Sequence, residues 1–108
     1  MTDRDLFEKL SLTLAQGKPA ALATIISAHG STPRKVGAKM LIFADATTFG
    51  TIGGGCGERD VLKKALEIIL TGHRPAIVSV DLTDEIGTRN ADVCGGRMKV
   101  YIEPHLAA

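Results

Sequence analysis

The stretch AALATIISA, residues 20–28, has apolar side chains on both alternations of a strand. Side chains on a strand point alternately to the two faces of its sheet, so such a run is typical of a strand that is covered on both faces. The stretch therefore predicts a central strand, and the rest of the chain should supply its neighbours and the layers that cover it.

Two segments have the apolar spacing of a helix. The first segment, residues 3–16, begins at a Thr2–Asp5 pair that resembles a capping box. The second segment, residues 58–71, ends at Gly72. The apolar positions are Leu6, Leu10 and Leu14 in the first segment and Leu62, Leu66 and Ile69 in the second.

Four further stretches read as strands. Residues 38–44 and 48–52 flank a short polar turn and are expected to form a hairpin, residues 76–82 are mostly apolar, and residues 97–103 alternate cleanly. We therefore predict the α/β fold class, as a single domain with a small mixed β-sheet of about five strands and two main helices. In the last strand the side chains expected to face the core are Met98, Val100 and Ile102.

Composition excludes several classes of function. The chain of 108 residues has 13 basic and 12 acidic side chains, so it lacks the positive electrostatic field that attracts nucleic acids. Its aromatic residues are only three Phe and one Tyr, so it also lacks surfaces on which bases could stack. It has no apolar run near the ~18 residues of a membrane span and no secretory signal. We expect a cytoplasmic protein whose two cysteines are free thiols.

A glycine-rich stretch, GTIGGGCGE at residues 50–58, joins a strand to a helix. Backbone N–H groups and the dipole at a helix start favour an anion, and glycines let the backbone approach a ligand closely. The spacing matches neither the Walker motif nor the dinucleotide fingerprint. The alternative interpretation is a tight turn that only lets helix and sheet pack together.

Two other stretches carry reactive or charged side chains. HGSTPRKVG, residues 29–37, offers hydroxyls and a guanidinium that could cradle a phosphate or a ring carbonyl, although it could equally be a solvated turn. ADVCGGRM, residues 91–98, contains Cys94, while Cys56 stands near a helix start, where the pKa of a thiol is lowered. Both cysteines could instead be small buried residues that fill space. No zinc-binding pattern is present, so a structural zinc site is not expected.

Taken in order, three motifs resemble the XdhC/CoxI family of xanthine dehydrogenase accessory proteins. They are GSTPR-x-x-GAKM at residues 30–40, GTIGGGC-x-E at residues 50–58 and CGG-x-M-x-V-x-IEP at residues 94–104. The resemblance implies an assembly role rather than metabolic turnover: transient binding of the molybdenum cofactor (molybdopterin) and its delivery to a molybdenum hydroxylase apo-enzyme, such as xanthine or carbon monoxide dehydrogenase. A cysteine desulfurase that installs the sulfido ligand is a further implied partner.

The resemblance also implies which residues would bind the cofactor, with the two cysteines as the candidates for contact with molybdenum or sulfur. These candidates are Ser31, Thr32, Arg34, Gly53, Gly54, Gly55, Cys56, Glu58, Cys94, Gly95 and Gly96.

Two departures from the family pattern stand out. Longer members carry a Rossmann-like domain after the IEP stretch, so residues 1–108 are expected to be the N-terminal type of domain standing alone, with a separate Rossmann-domain protein as a partner and self-association into a homo-oligomer. Gly57 stands where a bulkier apolar residue is expected, which would loosen the start of the helix.

Two other functions stay open from the residues themselves. One is a small thiol-based redox or sulfur-transfer protein using Cys56 and Cys94, although no base is paired with either cysteine in the sequence. The other is a structural interaction module that dimerises through a sheet edge and binds a target dehydrogenase.

Overall fold

Five strands and two helices form the part of the chain that the structure, a computed structural model, describes: residues 2–32, 34–53, 57–72, 74–81 and 96–106. In chain order they are α1 (Asp3–Ala15), β1 (Ala20–His29), β2 (Lys39–Phe43), β3 (Thr48–Gly50), α2 (Glu58–Glu67), β4 (Ala76–Asp81) and β5 (Arg97–His105). A π-helical turn, Ile68–Gly72, continues α2. The predicted α/β class, with about five strands and two main helices, is confirmed.

The sheet has the strand order β3-β2-β1-β5-β4, with β1 at its centre. Each of the four strand pairs is antiparallel, where the sequence led us to expect a mixed sheet. The hairpin of β2 and β3 is confirmed, and its turn contains Ala46 at φ 73. The two strands with the most continuous patterns in the sequence, β1 and β5, are thus neighbours in the middle of the sheet.

Strand β1 is covered on both faces, as its sequence predicts. On one face its residues Ala20 and Leu22 pack against Leu6 and Leu10 of α1. On the other face its side chains join a larger core with α2 and β5. Full burial of a leucine side chain contributes roughly 1.5–3 kcal/mol, so Leu6 and Leu10 each stabilise the packing of α1 on the sheet. The β1 members of the larger core are Ala21, Ala23 and Ile25.

Helix α1 begins with the predicted capping box. The Thr2 N–H donates to Asp5 Oδ2 at 2.9 Å, and the Asp5 N–H donates to Thr2 Oγ1 at 3.2 Å. The hydrogen bond from the Thr2 N–H, and after it the interaction of the carboxyl with the Thr2 hydroxyl, lowers the pKa of the Asp5 carboxyl. The ionised carboxylate is therefore favoured by the fold.

This cap should make stability depend on acidity in one direction. Because the pKa of Asp5 is lower in the folded than in the unfolded chain, its contribution is complete above the ordinary aspartate value of about 3.9 and is lost as the pH falls through the folded pKa. We expect Asp5→Ala to lower the urea midpoint at near-neutral pH and to have little effect in strong acid. Midpoints of both proteins measured across this range test the expectation, and an equal difference at every pH would contradict it.

The most buried positions of helix α2 each lie one residue before its leucines. Val61 and Ala65 are fully buried, whereas Leu62 and Leu66 are half-buried beside the core. The small side chain of Ala65 lets the helix approach the sheet, and the leucines cover the flank. The π-helical turn then buries Ile68 and Ile69 and finishes at Gly72, the predicted end of the segment.

In the residues described above, no helix has the length and apolar character needed to cross a membrane.

Candidate functional site

Connections that carry the sequence motifs leave the sheet at one end. Lys39, the first residue of β2, pairs with Thr24, and Gly50, the last residue of β3, pairs with Met40 next to Lys39. The connection from β1 to β2 and the connection from β3 to α2 therefore start or finish side by side.

The third motif meets the sheet at the same end. Arg97, the first residue of β5, pairs with His29, the last residue of β1, and with Asp81, the last residue of β4. Gly96 precedes Arg97 and so lies next to the point where β1 ends. Antiparallel pairing thus brings together three motifs that are far apart in the sequence.

Gly96 packs directly against the connection that follows β1. A Cβ atom at this position would lie 2.4 Å from the His29 carbonyl oxygen, 2.7 Å from the Ser31 carbonyl oxygen and 2.8 Å from the Thr32 methyl group. Side-chain carbons in proteins essentially never approach heavy atoms this closely, so only glycine fits here. The contact brings three of the candidate residues, Gly96, Ser31 and Thr32, into one place.

The connection after β1 is fixed at its base by backbone hydrogen bonds. The Gly37 N–H donates to the Ile25 carbonyl at 2.8 Å, and the Ile25 N–H donates to the Ala38 carbonyl at 3.0 Å. Within the connection, the Thr32 hydroxyl donates to the Arg34 carbonyl at 2.9 Å. The base of the connection is thus anchored to β1, while residues 34–37 are exposed, so the alternative of a solvated turn stays open.

Arg34 and Ser31 are the exposed polar residues of this connection among the candidates. In the described part of the chain the Arg34 guanidinium forms no ion pair. An exposed guanidinium offers several N–H donors in a planar fork, which matches phosphate and carboxylate groups. Arg34 is therefore in a position to receive an anion from solvent.

Glu58 has a role that the sequence did not indicate. Its Oε2 atom accepts hydrogen bonds from the Thr51 hydroxyl at 2.5 Å, the Ile52 N–H at 3.2 Å and the Gly53 N–H at 3.1 Å. One carboxylate oxygen thereby folds the chain between β3 and α2 back onto the start of the helix, and buried Ile52 sits at the centre of this turn. The N–H of Gly53, one of the predicted binding residues, is thus directed at Glu58, as is the N–H of Ile52.

Gly57 opens α2 in the left-handed region, at φ 78. A bulkier residue there would be strained, because a Cβ disfavours that backbone conformation. The glycine that departs from the family pattern is therefore suited to this helix start, and its N-cap position has no side-chain hydrogen bond. The side chain that orders the turn is Glu58 instead.

Five candidates lie outside the described residues: Gly54, Gly55, Cys56, Cys94 and Gly95. The predictions that the cysteines contact molybdenum or sulfur, or transfer sulfur themselves, stay predictions, as does ligand contact by each of the other candidates. Within the described ranges, no three His, Cys, Asp or Glu side chains are grouped so that they could hold a metal ion.

A cavity of 380 Å³ that we did not predict lies at the same end of the sheet. Its lining includes Ser27 and His29 of β1, Ser79 of β4, and Arg97 and Lys99 of β5. The alternation of residues 97–103 does place Arg97 and Lys99 on one outward face. Nothing in the sequence indicates that β1 and β4 add polar side chains beside them.

Comparisons with known proteins agree with the motifs. The model of the XdhC and CoxI family matches residues 13–81. The chain is 35% identical over 101 residues to "Uncharacterized protein YqeB" of Escherichia coli (strain K12), covering 94% of the chain and 18% of that protein. It is 40% identical over 98 residues to a probable xanthine dehydrogenase subunit of Bacillus subtilis (strain 168), covering 87% of the chain and 29% of that protein.

Two further similarities add a named activity and a solved fold. The chain is 36% identical over 60 residues to "Molybdenum cofactor insertion chaperone PaoD" of Escherichia coli (strain K12), covering 56% of the chain and 19% of that protein. A crystal structure described as a xanthine dehydrogenase from Bacillus halodurans superimposes with a TM-score of 0.79 at 35% identity, over 96% of the chain and 30% of that protein. The chain thus spans less than a third of the length of each of these proteins.

Proposed function

The chain belongs to the XdhC and CoxI family, and from that premise we propose that it holds the molybdenum cofactor for insertion into a molybdenum hydroxylase. The cofactor is cargo here: it is received, kept from solvent and handed to an apo-enzyme such as a xanthine or carbon monoxide dehydrogenase. Residues 1–108 would act as the domain that holds the cofactor until it is handed over.

The observation that carries the proposal is the meeting of the motifs at one end of the sheet. Gly96 of the third motif touches Ser31 and Thr32 of the first motif, and the second motif begins beside Met40 in the neighbouring strand pair. Packing alone would not require exposed hydroxyls and a guanidinium at this place. A common ligand accounts for both the convergence and the polar chemistry.

The donors at this end fit an anionic cargo. The cofactor is a pterin dithiolene with a phosphate group, and the exposed Arg34 guanidinium can donate to two phosphate oxygens at once. The hydroxyls of Ser31 and Thr32 lie in the same connection and can add donors. Close approach of the ligand to the backbone is possible at the glycines of the second and third motifs.

The charges of Glu58 and Arg34 would orient the bound cofactor. Glu58 places a carboxylate in the turn before α2, and this carboxylate repels a phosphate. Arg34 lies in the connection after β1 and attracts it. We therefore infer that the phosphate end points towards Arg34, while the dithiolene end points towards the second motif, where the thiolate of Cys56 would be a suitable soft ligand.

The partners follow from the cargo. An apo-hydroxylase would receive the cofactor, a cysteine desulfurase would add its sulfido ligand, and a separate Rossmann-domain protein would supply what the longer relatives carry in one chain. We propose the cytoplasm as the compartment and a homo-oligomer as the working state.

Retention of the cofactor tests the proposal directly. In anaerobic equilibrium dialysis against molybdenum cofactor, we expect the protein to retain pterin at micromolar concentrations. Arg34→Ala should weaken retention by about tenfold or more, because it removes a charge-assisted bidentate hydrogen bond. Cys56→Ser should lower retention without changing the fold.

Lys63→Ala is the matched control, because Lys63 is an exposed cation of α2 that is not among the candidate site residues. It should retain pterin as well as the wild type does. No retention by the wild type, or equal losses in Arg34→Ala and Lys63→Ala, would overturn the assignment of the cargo to these residues.

A further inference from the structure

A β-bulge in β1 changes which side chains reach each face of the sheet. Up to Ile25, the odd-numbered residues of β1 face the core under α2, and strict alternation would place Ser27 and His29 there as well. The register shifts between Ile25 and Ser27. After the shift, Ala28 pairs with buried Met98 and packs against the core, so Ser27 and His29 lie on the opposite face.

The bulge completes two polar rows across three neighbouring strands. In the first row, Lys99 of β5 lies between its pairing partners on β1 and β4, and in the second row Arg97 does the same. We call these six residues the polar grid: Ser27, Lys99 and Ser79 in the first row, and His29, Arg97 and Asp81 in the second. Bulges beside functional sites commonly serve to aim a side chain in this way.

The polar grid lies at the cavity of 380 Å³ described above, and all six residues line it. Adjacent strands are about 4.8 Å apart, so the three strands span roughly 10 Å. A cavity of this volume falls in the range of small-molecule sites, which is about 300–1,000 Å³. The site is thus the size of a small metabolite rather than of a single ion.

The charges of the polar grid are unevenly placed. Arg97 Nε lies 3.5 Å from Asp81 Oδ2, so the carboxylate of the polar grid forms an ion pair with the guanidinium in its own row. Lys99 stands between two serines and, among the residues whose contacts the structure describes, makes no ion pair. In the first row a full positive charge is therefore flanked by a hydroxyl on each side.

The donor set favours one class of group. Ser27 Oγ is 3.2 Å from His29 Nε2, so hydroxyl and imidazole are already aligned between the rows. The Lys99 ammonium and the hydroxyls of Ser27 and Ser79 place donors side by side across three strands, which suits the three terminal oxygens of a phosphate better than the two oxygens of a carboxylate. A phosphate monoester also carries a charge of about −1.5 to −2, which a free ammonium attracts more strongly.

We propose that the polar grid binds the phosphate group of a small phosphorylated molecule. Ser31, Thr32 and Arg34 do not line this cavity, and the proposal does not depend on the proposed handling of molybdenum cofactor. Lys99 supplies the charge, Ser27 and Ser79 supply neutral donors, and the Arg97–Asp81 pair closes one side of the cavity.

Titration with inorganic phosphate tests this site. Amide chemical shifts of the labelled protein are followed at constant ionic strength, with sodium chloride as the balancing salt. We expect saturable shifts at Lys99, Ser27 and Ser79, and a dissociation constant raised by about tenfold or more in Lys99→Met, which keeps the apolar stem but removes the charge. Lys63→Met, on the other face of the sheet, should bind phosphate within about twofold of the wild type.

Three results would overturn the proposal: shifts that do not saturate, phosphate binding by Lys99→Met equal to that of the wild type, or acetate binding as tightly as phosphate. The last result would describe a general anionic surface rather than a phosphate site. Each of them would leave the cofactor proposal untouched, because that proposal is tested by pterin retention and by variants of other residues. Both variants change exposed side chains, so the fold should be unchanged, and the same spectra check this.

Discussion

Gly96→Ala is expected to destabilise the domain by about 3 kcal/mol, at the upper end of the usual cost of overpacking. Two of the three atoms that the new methyl group would meet are the carbonyl oxygens of His29 and Ser31. Backbone atoms cannot rotate away as a flexible side chain can, so the end of β1 or the start of β5 would have to move. Urea unfolding followed by circular dichroism measures the loss.

Gly17→Ala is the matched control for this change. Gly17 has a left-handed φ of 78, but an added methyl group there would meet nothing within 4 Å. Its cost should be limited to backbone strain, about 1–2 kcal/mol. If Gly96→Ala costs no more than Gly17→Ala, the close approach of the two motifs is not a constraint on this fold.

Glu58→Ala is expected to cost about 2–4 kcal/mol. It removes the acceptor of three hydrogen bonds at once and leaves the part-buried Ile52 N–H without that acceptor, while the Gly53 N–H keeps its hydrogen bond to Thr51 Oγ1 at 3.1 Å. Each buried donor that loses its partner costs roughly 1–3 kcal/mol, although water can reclaim some of the loss here. The urea midpoint should fall, and pterin retention should fall with it, because the turn that positions the second motif is no longer held.

Two variants separate the causes. Glu58→Gln keeps an acceptor oxygen and loses only the charge, so it should destabilise less than Glu58→Ala. Glu67→Ala, at the other end of α2, breaks only an exposed ion pair with Lys64 and should cost about 1 kcal/mol or less. Equal midpoints for Glu58→Ala and Glu67→Ala would show that the carboxylate of Glu58 does not organise the turn.

Most of the fold could be predicted because its signals are local. The Thr2–Asp5 pair, the leucine spacing of α1 and the alternation of Met98, Val100 and Ile102 each involve residues a few positions apart, and the structure confirms all of them. The two-sided burial of β1 was equally readable from its own residues. Such signals need no knowledge of what the segment packs against.

The parts that could not be predicted depend on distant partners. The bulge after Ile25 reverses the faces of Ser27 and Ala28, but no residue around it marks the place where the alternation breaks. Gly96 is required by a contact with Ser31, far away along the chain. The three hydrogen bonds of Glu58 to the preceding turn likewise depend on how that turn folds back onto the helix, which the sequence alone does not show.

The three motifs of the candidate site could be matched to a family from their letters and order, yet their meeting could not be derived from spacing alone. Strand pairing determines it, and pairing of β1 with β5 rather than β3 is a choice among distant segments. The resemblance therefore pointed to residues that meet in the fold without supplying their geometry.

The central position of β1 also has a consequence for how the chain is made. Its two neighbours are β2, which follows it closely, and β5, which is the last strand in the described part of the chain. During synthesis β1, β2 and β3 can form a meander at once, but one side of β1 keeps its backbone groups and apolar side chains without a neighbour until residue 105 has been added. The nascent domain must therefore pass through a stage with an exposed, apolar strand edge, which is the kind of surface that invites wrong pairing between chains.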